Sequence, residues 1–497
     1  MNFLIHIGEK INPFQSIIVL FIVIFILAFF AISRSRAIRK YLMALVLVSF
    51  IIAFFVNIYI YISDGDVSNY LISFGIIQVI ESCIMIFSAI NLLFFIYLYH
   101  KDNENFIKIL ILLTFSLVCC LFIIISRNFL LIFTSFSLFI LTIFQLVSIL
   151  NLKVYKISPY IVEYFLRGIL TVILFLSGFS LFFGATSSKD FNQILKLEYI
   201  ENPLVIMGLV VFGVALYQYL FLFPFQGPYM KLMKRSDSVA RAVIWFLYFP
   251  AGILVLLKIS VLYNYFLEKN NVFLSAILIV TTFICLIAGN TGAIKTKSIR
   301  RIMSFLYLSF TGLFLLNISM FSTGIISMVS MNWFNFMDIS LMMASFMPLY
   351  LVFSNIEKNT AADHIDSIRG LGRLNKYIGV NLVIIFLSWA GIIYYVKPFL
   401  KYFNIKDFLH MGALNLIMFA IVLAALVFFF LNIFRIIFQI FKRPAVESAH
   451  KIVFSRFLYV YTTFYSFIII IAAVLCFLRV INIDIPFLNF EIIDFNF

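Results

Sequence analysis

The chain has 497 residues, 64% of them hydrophobic and 11% charged, with a mean hydropathy of +1.13. That balance excludes a soluble globular domain and marks an integral membrane protein. The net charge of +15 calls for no nucleic acid, because the basic residues sit in short loops between apolar stretches, where membrane topology explains them.

Apolar runs set off by polar breaks predict spans over 14–33, 41–63, 70–99, 106–125, 129–150, 160–184, 203–226 and 240–265. Further spans follow over 272–294, 302–320, 324–354, 376–401, 410–441 and 453–480. The expected fold is all-α and polytopic, with about fourteen transmembrane helices, each long enough for a hydrocarbon core of roughly 30 Å. The first span is followed by Arg34, Arg36, Arg39 and Lys40 without a small-residue cleavage site, so it reads as a retained helix. Basic residues recur after odd-numbered spans, among them Lys153 and Lys156, Lys231 and Lys234, Arg300 and Arg301, Arg369 and Arg373, and Lys442 and Arg443. The loop over 63–69 instead holds Asp64 and Asp66 and no base. This alternation puts both termini on the side opposite the basic loops. The longest polar connectors, 185–202 and 355–376, are too short for soluble domains, and the first is a candidate for a short amphipathic helix.

Five cysteines (Cys83, Cys119, Cys120, Cys285, Cys476) fall inside apolar stretches, with no CxxC and no His or Asp at ligand spacing. No disulfide framework and no metal is expected. Neither a glycine-rich phosphate loop nor a nucleophile elbow is present, so no cofactor is expected on this chain.

Several spans carry an ionisable group away from their ends: Glu81, Glu163, Arg167, Lys258, Asp338 and Arg435. A charge at a helix centre costs about 2.5–3.5 kcal/mol, so such groups pair or face a polar interior. Glu163 and Arg167, four apart, are placed for a local ion pair. Lys258 and Arg435 lie within reach of an interface by snorkelling. Glu81 and Asp338 have no such escape and are candidates for polar-path or subunit-packing roles, and all these groups require partner helices to cover them. Lys401 follows Pro398 in an apolar segment. A proline frees backbone groups that lipid cannot satisfy, and broken helices bearing a charge are how many membrane transporters build their sites.

Four stretches together resemble one family, the antiporter-like membrane subunit of respiratory complex I, called NuoN in bacteria and NADH dehydrogenase subunit 2 in mitochondria. Residues 164–187 open on Tyr164 and end in Gly184-Ala185-Thr186, like that subunit's sixth helix; Leu222-Phe223-Pro224-Phe225 is similar to the break of its seventh. Residues 288–303 (AGNTGAIKTKSIRRIM) resemble its loop into the tenth helix, and Leu387-Ser388-Trp389-Ala390-Gly391-Ile392, with Lys401 at a fixed distance, is similar to its twelfth. The resemblance implies an antiporter-like fold with broken helices near Pro224 and Pro398. It also implies a first half over 120–265 and a second over 272–441, with N-terminal helices over 1–119 and a C-terminal helix over 453–497, all within one transmembrane domain, 1–497.

The family relation further implies a subunit of a proton-translocating NADH:ubiquinone oxidoreductase, without active-site chemistry of its own, bound to other membrane subunits and lipids in a hetero-oligomer. The expected location is the mitochondrial inner membrane, with the bacterial plasma membrane as the alternative. Lys401 matches the family's twelfth-helix lysine, the residue for proton transfer and coupling. The family's other titratable positions fall on Ser137, Tyr219, Phe249 with Pro250, and Phe310. Phenylalanine carries no proton and a tyrosine hydroxyl ordinarily titrates near about pH 10, so the path through this subunit is expected to be degenerate, with Glu81, Glu163, Lys258 and Asp338 as polar-path candidates. Three alternatives stay open: a structural subunit of the same complex without transport, a cation/proton antiporter subunit, and a polysaccharide-lipid flippase. The last would account for neither the loop over 288–303 nor the offset from Leu387 to Lys401.

Overall fold

The computed structural model describes residues 14–32, 36–65, 67–68, 72–151, 159–187, 202–267, 272–322, 346–357, 364–389, 413–442 and 456–480. Asp338, Pro398 and Lys401, and the connector over 188–201, lie outside them. The chain divides into two compact units, Met1–Phe266 and Leu267–Phe497.

The first unit runs α1 (Gln15–Phe29), α2 (Arg36–Asp64), a small hairpin of β1 (Val67–Ser68) and β2 (Ser73–Phe74), α3 (Ile76–His100), α4 (Phe106–Ile125) and α5 (Phe129–Leu150). It continues with α6 (Pro159–Thr186), α7 (Pro203–Tyr219), α8 (Gln226–Arg235), α9 (Ser238–Val243), a π-helical turn (Ile244–Tyr248) and α10 (Phe249–Leu267). The hairpin corrects the third span, which begins at Ile76 and not at residue 70. The antiparallel pairing of Val67 with Phe74 takes that stretch out of the helix.

Side-chain caps start several helices: Asn128 accepts from the Leu130 N–H, Asn202 from the Leu204 N–H ahead of Pro203, and Asp237 from the Val239 N–H. Each satisfies an N–H that a helix start leaves open. α4 is buried nearly all round, from Phe106 and Leu110 to Ile124, whereas α2 and α6 expose Phe55, Tyr59, Leu166 and Ile173 on outer faces. Phe129 stacks on Phe175 and Phe179, with ring centroids 5.8 and 5.2 Å apart, which joins α5 to α6.

The second unit holds α11 (Val272–Lys295), α12 (Ile299–Ser322), helical residues 346–357, a 3-10 turn (Ile365–Ile368), the single turn α13 (Leu371–Leu374), α14 (Lys376–Trp389), α15 (Ala413–Phe441) and α16 (Arg456–Val480). α11 and α12 pack closely because Gly289 lies against the backbone and hydroxyl of Ser309, where a Cβ has no room. The buried Asn381 of α14 donates to Thr462 and Thr463 of α16, and Ser466 donates back to it, the polar bonding that holds membrane helices together.

Six of the described helices are long and apolar enough to cross a membrane by length and composition, and shorter apolar helices include Gln15–Phe29 and Pro203–Tyr219. The last is short for a physical reason. Proline has no N–H to donate and clashes with the preceding turn, at a cost of about 3 kcal/mol in a helix interior. The chain therefore leaves helical geometry after Tyr219, passes Phe221 at a φ of 53°, and resumes at Gln226.

Candidate functional site

The break at Pro224 and the π turn face each other, and tyrosines fill the space between them. Tyr219, the last residue of α7, donates its hydroxyl to the Tyr248 carbonyl at 2.7 Å, and the Tyr248 hydroxyl donates to the Tyr219 carbonyl at 3.2 Å. Their rings stack with centroids 4.0 Å apart. A π turn shifts the hydrogen-bond ladder, and a carbonyl at membrane depth needs a donor. Tyr219 supplies one, and Ser88 of α3 supplies another to the Phe246 carbonyl at 2.7 Å. Phe136, Tyr164, Phe221 and Tyr229 close the cluster from α5, α6, the break and α8. Gly252 is what admits the Tyr219 ring, since a Cβ there would collide with it.

The residues that the resemblance sets against the family's titratable positions are apolar or bonded within the protein. Ser137 donates back to the Phe133 carbonyl of its own helix at 2.7 Å, and Phe249 and Phe310 are buried.

The cations at membrane depth have definite partners. Lys258 donates to the carbonyls of Ile124 and Ser126, both at 2.6 Å, so its ammonium caps the C-terminus of α4. Arg435 donates to the carbonyls of Ala293, Ile294 and Thr296 at 3.3, 2.7 and 3.2 Å and caps α11. These caps replace the expected snorkelling. A helix C-terminus presents unpaired carbonyls and partial negative charge, and both attract a cation. Glu163 is corrected as well: it pairs with Lys231 of α8 at 3.0 Å, not with Arg167.

At the end of the first unit that holds the basic loops, His100 meets Asp237 at 3.2 Å, Asn151 accepts from the Asp237 N–H at 2.7 Å, and Arg39 donates to the Asn103 carbonyl at 3.0 Å. Burial pushes the Asp237 carboxyl up, but the bond and charge of His100, the Val239 N–H and the charge of Arg241 hold it below the ordinary aspartate range. The sequence signals only one part of this cluster, the helix start at Ser236-Asp237-Ser238 before an apolar run. In the second unit Arg300 forms a two-pronged pair with Glu357, both contacts at 2.9 Å.

The family described as "NADH:quinone oxidoreductase/Mrp antiporter, TM" matches residues 126–432, more than half of the 497 residues. The chain belongs to this family. Among curated members it is 23% identical to NADH-quinone oxidoreductase subunit N 1 of Thermodesulfovibrio yellowstonii, over 69% of this chain and 71% of that one. It is 22% identical to NADH-quinone oxidoreductase subunit N of Wolbachia sp. subsp. Brugia malayi, over 73% of this chain and 75% of that one. In fold it is similar to a chain of respiratory complex I from Thermus thermophilus, with a TM-score of 0.73 at 14% identity, covering 94% of this chain and 97% of that one. Membership gives the helix break at Pro224 its context: the antiporter-like fold is kept while tyrosines fill the space between that break and the π turn.

Proposed function

We propose that this chain is a membrane-arm subunit of a proton-translocating NADH:quinone oxidoreductase. The observation that carries the reading is the match to subunit N over more than two thirds of both chains, together with the helix break at Pro224 that an antiporter fold requires. The exposed apolar faces of α2 and α6 suit neighbouring membrane subunits and lipid, in a hetero-oligomer. Redox chemistry belongs to other subunits, and this chain holds no cofactor. Relatives from bacteria favour a bacterial plasma membrane over the mitochondrial inner membrane.

Within this reading Lys401 is the proton-transfer and coupling residue, and Asp338 a polar-path residue, both carried by position in the sequence. The Tyr219–Tyr248 interlock favours a first half whose central relay is lost, so that Lys401 serves lateral coupling to an adjoining subunit. Deleting the chain and restoring it tests the assignment. Membranes without it should lose NADH-driven acidification and regain it on complementation. Unchanged acidification in its absence would contradict the assignment.

A further inference from the structure

The first two helices sort their side chains in the reverse of a soluble amphipathic helix. On α2 the polar Ser49 and Asn57 are buried, Asn57 at 2% exposure, while Val48, Ile51, Ile52, Phe55 and Ile62 face outward. α1 does the same, with Ser16 buried and Ile18, Ile22, Phe25 and Phe29 exposed. In its most apolar stretch α2 is 33% buried, against 72% for α4, so most of α2 has no cover from the described residues.

The outward face itself shows what covers it. Helices that associate within a bilayer meet through small residues, which bring backbones close, or through polar groups that bond across. The exposed residues of α2 from Tyr41 to Ile62 are β-branched or aromatic, with Ala44 the one small residue among them. The outer face of α6, by contrast, exposes Ser177, Ser180 and Gly184. Tyrosines bracket the apolar face of α2, Tyr41 at 76% exposure near one end and Tyr59 at 68% near the other. The helix between them is about 27 Å long, close to the roughly 30 Å of a hydrocarbon core. A tyrosine ring, apolar in body and polar at its tip, settles at the boundary of membrane and water, and this pair marks both boundaries on one helix.

Charge distinguishes the two ends. α2 begins at the end that holds the basic loops, where Arg39 turns inward to the Asn103 carbonyl at 3.0 Å and Lys40, next to Tyr41, is exposed. An exposed ammonium beside a boundary tyrosine is complementary to a lipid phosphate, and basic groups at that depth gather anionic lipid.

We propose that the outer faces of α1 and α2 are the edge of this chain that meets the bilayer, covered by phospholipid acyl chains and by no other subunit, and that Lys40 with Tyr41 holds an anionic headgroup at the basic-loop end. Such an edge does not depend on which complex holds the chain.

Photocrosslinking tests it. p-Benzoylphenylalanine is placed at Phe55 in one variant and at Ala44 in another, both exposed positions, and the tagged chain is recovered after irradiation of native membranes. The probe at Phe55 should give phospholipid adducts by mass spectrometry and no species enlarged by a second polypeptide on a denaturing gel. The probe at Ala44, about one turn from Lys40, is read after reconstitution of the purified complex in vesicles of equal phosphatidylglycerol and phosphatidylcholine. Phosphatidylglycerol adducts should outnumber phosphatidylcholine adducts about fivefold, the effect of one basic residue near the surface, and Lys40→Gln should bring the two toward parity. A tagged preparation without NADH:quinone reductase would overturn the functional reading and leave the edge to be decided by the adducts alone. A crosslink from Phe55 to another polypeptide, or no lipid adduct there, would overturn the lipid-facing edge. Equal capture of the two lipids by the wild-type Lys40 chain, or an enrichment that Lys40→Gln leaves unchanged, would overturn the headgroup site.

Discussion

The Tyr219 hydroxyl donates to the Tyr248 carbonyl and receives the favour at its own carbonyl, at 2.7 and 3.2 Å, so each side of the helix break is fastened by the other's phenol. Tyr219→Phe keeps the stacked ring and removes one buried bond, a loss of roughly 0.5–1.5 kcal/mol. The assembled complex should melt at a lower temperature in a thermal scan while its proton-to-electron ratio holds. A drop in the ratio with no change in melting would mean that Tyr219 takes part in transport.

Gly252 is the space that the Tyr219 ring occupies. Gly252→Ala overfills a closed core, which costs about 1–3 kcal/mol, and should reduce the yield of assembled complex. Gly289→Ala should act likewise in the second unit by forcing α11 from α12. Quantitative immunoblots of membranes check both. Wild-type levels of both variants would contradict the packing described.

Asp237 links the start of α9 to His100 and Asn151. Its carboxyl titrates below the ordinary aspartate value in the folded chain, so its contribution to stability is complete above that ordinary value and fades as pH falls through the lower folded one. Asp237→Asn should therefore be less stable than wild type at neutral pH, and the gap should narrow only in strong acid. Melting curves against pH read it. A gap that widens on acidification would reverse the sign.

Backbone chemistry was the part of this molecule most legible in sequence. Pro224 announces the break because a missing N–H acts locally, and the apolar runs announce helices because lipid demands them. Partners were not legible. Lys258, Arg435 and Glu163 each read as a charge needing relief, but the helix end or lysine that relieves it comes from distant sequence: Ile124 for Lys258, Ile294 for Arg435, Lys231 for Glu163. The hairpin over 67–74 was hidden for the opposite reason, since an apolar strand and the start of an apolar helix have similar composition. The π turn left no sequence signal that would separate it from α-helix.

Lys401→Ala should assemble, because it removes a charge without removing a helix, and should move fewer protons per electron than wild type. Vesicle acidification measured against NADH consumption gives the ratio. A variant that assembles and pumps at the full ratio would remove Lys401 from the coupling path.

A native gel of gently solubilised membranes tests most directly whether the chain is part of an NADH:quinone oxidoreductase. The chain should migrate in one large band that stains for NADH dehydrogenase activity, and deleting the chain should shift or abolish that band. Migration as a small species, or in a large complex without NADH dehydrogenase activity, would contradict it.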